Sequence, residues 1–313
     1  MKDKVKIGLL LTLFLIVCLV VQYFSAHVFD FIILFFSLIA TMEFRKLQLK
    51  AGSPAFKFVP EISCFLIFVA IFVGVLCDLS AVIILIMVFA IEVILYLSIL
   101  VGSILFTKKD LEKDEFRLAT NLSVNEFAVF KSNNTLAVMV YPALLIFFVY
   151  LINHIQGIGL EALTENTQGV PMGLFGIVLL FMICCLTDTF AMLFGKWIKG
   201  KKLCPNISPN KTISGACFGL VGGVVGALLT YLVFYLIFPS AFSIVYFWQF
   251  IIIGFIGSLI AQAGDIFESF LKRRASVKDT SEFFRSHGGV LDRLDSVVFN
   301  APFIFVCLLF MFG

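Results

Sequence analysis

Residues 81–106 read AVIILIMVFAIEVILYLSILVGSILF and contain one charged side chain, Glu92. A helix rises 1.5 Å per residue, so a helix of this length crosses the roughly 30 Å hydrocarbon core of a bilayer. The whole chain has the same character, because 61% of its 313 residues are hydrophobic and 39 are phenylalanine. Only 14% are charged, against roughly 25% in soluble domains. This composition excludes a soluble globular protein, a disordered protein and a small disulfide scaffold.

The remaining apolar runs extend this pattern along the chain. They predict an all-α integral membrane protein, a polytopic bundle of about nine transmembrane helices. A β-barrel is excluded because barrel strands alternate polar and apolar residues, whereas these runs are continuous. The predicted spans are 7–24, 28–44, 62–77, 81–106, 135–153, 170–195, 215–239, 241–262 and 297–312.

The basic residues fix the expected orientation. All 23 Lys and Arg residues lie in the segments 1–6, 45–61, 107–134, 196–214 and 263–296. Nine alternating spans put these five segments on one face, which the positive-inside rule assigns to the cytoplasm. We therefore expect a cytoplasmic N-terminus, a place in the cell (cytoplasmic) membrane and an active site at the cytoplasmic face.

The segments also suggest a division of the chain. Residues 1–134 form an N-terminal transmembrane region of about four helices that ends in the charged cytoplasmic segment 107–134. Residues 135–313 form a C-terminal catalytic transmembrane region. Within it, Gly215, Gly219 and Gly223 recur every four residues. Small residues at this spacing let helices approach closely in lipid, so we expect tight packing here.

Four carboxylates stand out in or at the end of predicted spans, where ionisable groups are costly and usually mark function. Asp30 lies near the non-basic end of its span, where it is expected to reach the interface. Glu92 lies in the middle of an apolar helix and needs a partner that the sequence does not identify. Asp188 and Asp265 lie near the basic face.

Polar residues accumulate from Asp265 onward. Asp265, Ser269 and Lys272 are spaced by four and three, so a helix presents them on one face. Asp292 and Asp295 follow, after a Gly-Gly pair whose backbone N–H groups can approach an anion closely. Carboxylates and a hydroxyl are ligands suited to Mg²⁺, and the nearby bases suit a polyphosphate. The plainer interpretation is an ion-paired cytoplasmic loop.

The order of residues from Ser269 to Asp295 favours the functional interpretation. It reads S-x-L-K-R-x₄-K-D-x-S-x₂-F-x₂-H-G-G-V-x-D-R-L-D. This pattern resembles the signature of the phosphatidate cytidylyltransferases, also called CDP-diacylglycerol synthases. One residue departs from the family pattern: Arg285 stands where the family usually has a small residue or proline.

A second, less faithful block runs from Asp188 to Gly215. Its departures are Met192, Asn210 and Ser214, where the family usually has Tyr, Lys and Glu. The resemblance is strong over about residues 170–300. The first 150 residues match the family only as hydrophobic spans.

The resemblance implies transfer of CMP from CTP to phosphatidic acid, giving CDP-diacylglycerol and pyrophosphate in phospholipid biosynthesis. The reaction would be an in-line nucleotidyl transfer with Mg²⁺, and a second cation is left open. The expected partners are CTP and phosphatidic acid in the bilayer, with no nucleic acid; a homo-oligomer is left open. The departures at Asn210 and Ser214 put the contacts of residues 208–215 in question.

The family pattern also assigns roles to residues. The catalytic residues would be Asp265, Asp292, Lys272 and Arg293. The substrate-binding residues would be Ser269, Arg273, Lys278, His287, Gly288, Gly289, Lys211 and Ser208. The metal ligands would be Asp265 and Asp292, with Asp188 and Asp295 as weaker candidates.

Three alternatives remain. A CTP-dependent kinase of a polyprenol or phytol would use the same cofactors but attack the γ-phosphorus; the full signature argues against it. A non-enzymatic membrane transporter would keep its carboxylates near the midplane of interrupted helices, whereas this polar cluster lies at one face. An inactive scaffold is disfavoured because the predicted polar set is intact.

Overall fold

The computed structural model of the chain describes residues 2–105, 108–158, 167, 169–285 and 288–312. The first half is a series of helices joined by short turns. These are α1 Lys2–Phe24, α2 Ala26–Lys50, α3 Val59–Leu76, α4 Ala81–Leu105, α5 Lys108–Glu112, α6 Glu115–Thr120 and α7 Val124–Val138.

The second half contains the longest helices and a small hairpin. A π-helical turn, Met139–Leu144, joins α7 to α8 Leu145–Asn153, and Pro142 interrupts the regular hydrogen bonding there. The following elements are α9 Ile155–Ile158, α10 Met172–Ile198, β1 Lys202–Cys204, β2 Ser208–Thr212, α11 Ile213–Ile237, a 3₁₀ turn Ala241–Ile244, α12 Phe247–Arg274 and α13 Leu291–Phe312.

The predicted polytopic helical fold is confirmed. Among the described residues, eight segments are long and apolar enough to cross a membrane, with α7 and α8 forming one of them, Val124–Asn153. A shorter apolar helix, Gly8–Phe24, matches the first predicted span. Peripheral helices expose apolar side chains, such as Phe89 and Ile94 on α4, as expected of surfaces that face lipid.

Several helices continue past the ends of the predicted spans. α12 reaches Arg274 and α13 begins at Leu291, because a helix can extend beyond the hydrocarbon with a charged last turn. The charged segment 107–134 is also mostly helical. It comprises α5, α6 and the first turns of α7, which begins with a Ser123–Glu126 capping box.

Close packing of α10, α11 and α12 is confirmed at the glycines. A Cβ atom at Gly215 would lie 2.7 Å from the carbonyl oxygen of Ala191 on α10. One at Gly223 would lie 2.7 Å from the carbonyl oxygen of Gly254 on α12. No side chain fits at these crossings, so the three helices approach with their backbones nearly in contact. Their ends at the basic face are thereby brought together.

The β-hairpin between α10 and α11 was not predicted from the sequence. β1 and β2 pair antiparallel, with Lys202 opposite Thr212 and Cys204 opposite Ser208. The backbone N–H of Ile207 closes the turn on the carbonyl oxygen of Cys204 at 3.1 Å. The segment is too polar and too short for the hydropathy scan to identify.

Two carboxylates in the spans have partners that the sequence did not reveal. Glu92 on α4 accepts a hydrogen bond from Ser63 on α3, and both residues are buried. Asp30, expected at the interface, is instead buried and contacts His154, which follows α8. The helix-to-helix contacts, not the position along the span, determine the environment of each group.

Candidate active site

The basic ends of α10, α11 and α12, together with the hairpin, enclose a cavity of about 800 Å³. We call it the polar cavity. Six charged side chains line it: Asp188, Lys196, Lys199, Lys202, Lys211 and Asp265. The excess of lysines makes it a basic pocket, and lysine is a common ligand of phosphate groups.

Asp265 on α12 contacts two other predicted site residues, Lys211 and Ser269. The helical face predicted for Asp265, Ser269 and Lys272 is confirmed, because α12 continues to Arg274. Lys211, on β2, places its Nζ 2.8 Å from Asp265 Oδ2. The hydroxyl of Ser269 donates to Asp265 Oδ1 at 3.5 Å. The hairpin therefore holds a lysine against the carboxylate that α12 supplies.

Asp188 connects this cavity to a second one. The second cavity, of about 410 Å³, lies between α1, α2, α10 and α13, and its lining is mostly aliphatic and aromatic. We call it the apolar cavity. Asp188 lines both cavities, and Arg293 lines the apolar one. The Asp188 carboxylate, at the wall shared by the two cavities, lies within electrostatic range of Asp265 and of Lys211.

Two predicted residues, Lys272 and Asp292, form an ion triad with Glu268, which the sequence analysis missed. Lys272 Nζ lies 2.6 Å from Glu268 Oε2 and 2.7 Å from Asp292 Oδ1. Glu268 is fully buried and the Asp292 side chain is 5% exposed. The two carboxylates would repel each other strongly in this environment, and the ammonium between them offsets that repulsion.

The other oxygen of Asp292 organises the loop between α12 and α13. Asp292 Oδ2 accepts hydrogen bonds from the N–H of Thr280 at 2.9 Å, from its hydroxyl at 2.8 Å and from the N–H of Gly289 at 2.7 Å. Gly288 has φ +79°, and a Cβ there would lie 2.5 Å from the same oxygen. The Gly-Gly pair thus allows the backbone to close around a carboxylate of the chain itself.

Glu43 on α2 holds the same loop from the N-terminal half and was missed in the sequence analysis. Its carboxylate accepts a hydrogen bond from the hydroxyl of Ser281 at 2.5 Å, and its Oε2 lies 3.2 Å from the Thr280 hydroxyl, whose proton Asp292 accepts. It also accepts from the N–H groups of Val290 and Leu291 at 3.1 and 2.8 Å. Glu43 therefore caps the N-terminus of α13, where a carboxylate is favoured by the helix dipole.

The remaining predicted residues are more dispersed. Arg273 donates from Nε to the carbonyl oxygen of Ile207 at 3.0 Å, which ties α12 to the hairpin that carries Ser208. Lys278 is exposed on the loop. Asp295 is buried and accepts from the N–H of Ser296 at 2.7 Å, within electrostatic range of Asp265. The predicted residue His287 lies outside the described residues.

Two of the four departures from the family pattern line the polar cavity. Met192 and Asn210 line it. The hydroxyl of Ser214 accepts from the N–H of Gly200 at 3.3 Å and contacts Thr212 Oγ1 at 3.2 Å. Lys196, Lys199 and Lys202 were also missed as site residues. The signal that could have identified them was the basic composition of segment 196–214, of whose lysines the sequence analysis selected only Lys211.

The structure offers a donor set for Mg²⁺, which usually takes one or two carboxylates together with substrate phosphates. Asp188 and Asp265 both open into the polar cavity. Asp265 accepts one contact at each oxygen, from Lys211 and Ser269. Asp292 accepts four contacts from the chain, so its two oxygens are the more fully engaged. Cation ligation by Asp292 would require Lys272 or the loop donors to leave. The chemistry of Asp188 and Asp265 therefore fits the cation better than the predicted pair of Asp265 and Asp292 does.

Replacing Lys272 by methionine tests the ion triad. The change leaves two buried carboxylates without their cation, which is expected to lower the free energy of unfolding by about 3–5 kcal/mol. Denaturant unfolding in mixed micelles measures it. Lys278→Met is the matched control, since that lysine is exposed and its loss should change stability by roughly 0.5 kcal/mol or less. Equal effects of the two substitutions would contradict a structural role for the triad.

The chain is similar in sequence to a known protein family and to several curated proteins. The profile of the cytidylyltransferase family matches residues 4–311. A protein of Rickettsia felis called phosphatidate cytidylyltransferase is 43% identical over 129 residues, 41% of this chain and 56% of that protein. One of Staphylococcus saprophyticus with the same name is 40% identical over 153 residues, 49% of this chain and 55% of that protein. The chain thus spans little more than half the length of the curated relatives it matches.

Proposed function

Because the chain belongs to the cytidylyltransferase family, we propose that it transfers CMP from CTP to phosphatidic acid within the membrane. The products are CDP-diacylglycerol and pyrophosphate. The observation that carries this proposal is the placing of Asp188 in the wall shared by the polar and apolar cavities. One substrate of this reaction is a soluble polyanion and the other is a lipid. Two adjoining cavities, one with lysines and carboxylates in its lining and one mostly aliphatic and aromatic, suit that pair.

The polar cavity receives CTP in this proposal. Its volume of about 800 Å³ falls within the usual range of roughly 300–1,000 Å³ for ligand pockets. Lys196, Lys199, Lys202 and Lys211 offset the charge of the triphosphate. The cavity opens among segments that the positive-inside rule assigns to the cytoplasm, which is where the nucleotide is supplied.

The apolar cavity receives the acyl region of phosphatidic acid. Aliphatic and aromatic side chains line it, from α1 and α2 on one side and from α13 on the other. They take the place of the bilayer hydrocarbon that would otherwise surround the acyl chains. Arg293 lines the same cavity and can bind the lipid phosphate. The phosphate then lies beside Asp188, at the wall that faces the nucleotide.

The chemical step is an in-line displacement. A phosphate oxygen of phosphatidic acid forms a bond to the α-phosphorus of CTP, and the bond from that phosphorus to the oxygen bridging the β-phosphate breaks. Pyrophosphate leaves with the electron pair. The attacking phosphate is already an anion, so the step requires no general base. The task of the protein is to hold two anions together in the right orientation.

The roles of the residues follow from their positions. Asp188 and Asp265 would hold Mg²⁺, which supplies neutralisation of the phosphate charges when bound. Lys211 positions Asp265 through their ion pair. Lys272 and Asp292 order the loop that leads into α13, and the backbone of that helix presents Arg293 in its first turn. These side chains keep the site assembled before either substrate arrives.

Labelled CTP tests the proposed reaction. The purified chain in detergent is given phosphatidic acid, Mg²⁺ and CTP carrying the label at either the α- or the γ-phosphate, and the lipid is extracted. Label from the α-position should enter the lipid, and label from the γ-position should leave as pyrophosphate. Chelation of Mg²⁺ should abolish the transfer. Entry of γ-label into an added polyprenol, with no α-label in lipid, would instead establish the kinase.

A further inference from the structure

A cluster of ionisable side chains lies far from the active site, at the opposite end of α2. His27 and Asp30 lie in the first turns of α2, and His154 directly follows α8. Glu43, which caps the active-site helix, is 13 positions after Asp30 on the same helix, or roughly 20 Å away at 1.5 Å per residue. The cluster is therefore separate from the loop that binds Glu43, and its three residues are not among those that line either cavity.

The three side chains converge on one point. His154 Nε2 lies 2.6 Å from Asp30 Oδ2, and His27 Nδ1 lies 3.8 Å from the same oxygen. The two imidazole rings have centroids 5.1 Å apart. One ligand atom from each residue falls within 4.8 Å of the others. In a tetrahedral zinc site, bonds of about 2.1 Å place the ligand atoms about 3.4 Å apart, so small side-chain rotations complete the site.

The carboxylate of Asp30 is held in position by its other oxygen. Asn153 Nδ2 donates to Asp30 Oδ1 at 2.8 Å and to the carbonyl oxygen of Ala26 at 2.9 Å. Asn153 Oδ1 in turn accepts from Gln22 Nε2 at 3.1 Å. The network leaves Oδ2 directed at both histidines. Hydrogen bonds to the remote atoms of a ligand are the outer-shell support that metal sites use.

An Asp30–His154 hydrogen bond alone would explain two of the three side chains. It does not explain why a second imidazole lies against the same oxygen. The His27 side chain is 48% exposed, whereas those of Asp30 and His154 are 2% and 7% exposed. The half-exposed histidine gives an ion a path from solvent and leaves room for a water at the fourth position. Two imidazoles and one carboxylate form a set typical of zinc, not of Mg²⁺.

We propose that His27, Asp30 and His154 form a zinc site that fastens the α1–α2 turn to the end of α8. The three residues come from two segments far apart in sequence, so a bound ion cross-links the first two helices to the catalytic half. The site is independent of the proposed transfer reaction. Its ion stabilises the folded chain by its binding free energy.

Zinc binding to tag-free, chelator-treated protein tests the proposal. Calorimetric titration in detergent is run with excess Mg²⁺, which occupies sites built from oxygen ligands. We expect one Zn²⁺ per chain and a rise in the thermal unfolding midpoint. Cobalt, substituted for zinc, should give the intense visible absorption of a tetrahedral site. Absence of stoichiometric binding in the micromolar range would overturn the proposal.

Histidine variants identify the ligands. His27→Gln removes a half-exposed ligand without opening a buried cavity, and should weaken zinc binding at least about 10-fold and abolish the thermal shift. His154→Ala should do the same. The chain has three histidines, so His287→Ala is the matched control and should bind zinc like the parent. Unchanged affinity in His27→Gln, or loss of binding in His287→Ala, would overturn the assignment.

Discussion

An Asp265→Asn variant will transfer CMP to phosphatidic acid roughly 10²–10³-fold more slowly than the parent chain. The substitution keeps the size of the side chain and the contact with Ser269. It removes the negative charge that faces Lys211 at 2.8 Å and one of the two carboxylates open to the polar cavity. Asp188 then remains as the single carboxylate ligand, so the cation is held less firmly against the phosphates. The α-label assay measures the loss directly.

Two further variants make this result specific. Asp188→Asn should cause a loss of similar size, because in the proposed site both carboxylates hold one cation. Asp78→Asn is the control: Asp78 is exposed in the turn between α3 and α4 and has φ +51°, which asparagine also adopts readily. It should retain the parent rate. An Asp265→Asn protein that unfolds like the parent and keeps more than half of its activity would contradict the assignment.

A Glu43→Gln variant will lose most of its activity although Glu43 belongs to α2, outside both motif blocks. An amide accepts at one atom only, so its NH₂ group would face N–H donors of Val290 or Leu291 that cannot turn away. Hydrogen bonds to charged groups contribute about 1.5–3 kcal/mol each. We expect the unfolding free energy to fall by about 3 kcal/mol and the transfer rate to fall roughly 10²-fold, as the loop loses its order.

Glu61→Gln is the matched control for this prediction. Glu61 is also buried, but its partner is Arg45 on α2, at 2.8 Å, and it has no described contact with the active-site loop. Its replacement should lower stability with little effect on the rate per folded molecule. The discriminating quantity is activity normalised to folded protein. Equal normalised rates for the two variants would show that Glu43 contributes only to stability.

Local features of the sequence predicted much of the fold. The nine apolar runs correspond to helices, because hydropathy over about 20 residues reflects the thickness of the bilayer. The spacing of Gly215, Gly219 and Gly223 predicted a close crossing, and the spacing of Asp265, Ser269 and Lys272 predicted a shared helical face. Each of these inferences rests on a residue spacing or on the length of an apolar run, and both can be read from one segment of the sequence.

Pairings between distant segments could not be predicted in the same way. The carboxylate of Glu43 meets the N–H of Leu291 across 248 positions, and His154 meets Asp30 across 124 positions. No local pattern specifies these partners. The division of the chain at residue 134 was likewise drawn from charge alone. The contacts of Glu43 show that the loop preceding α13 is hydrogen-bonded to α2, across that division.

The cap that Glu43 places on α13 has a consequence for how the protein is made. α2 leaves the ribosome well before α13, and synthesis at roughly 5–20 residues per second separates Glu43 from Leu291 by about 10–50 s. During that interval the carboxylate has none of its loop donors. The N–H groups of Val290 and Leu291 become available only when the start of α13 has been made. A nascent chain is therefore expected to stay inactive until α13 has entered the membrane.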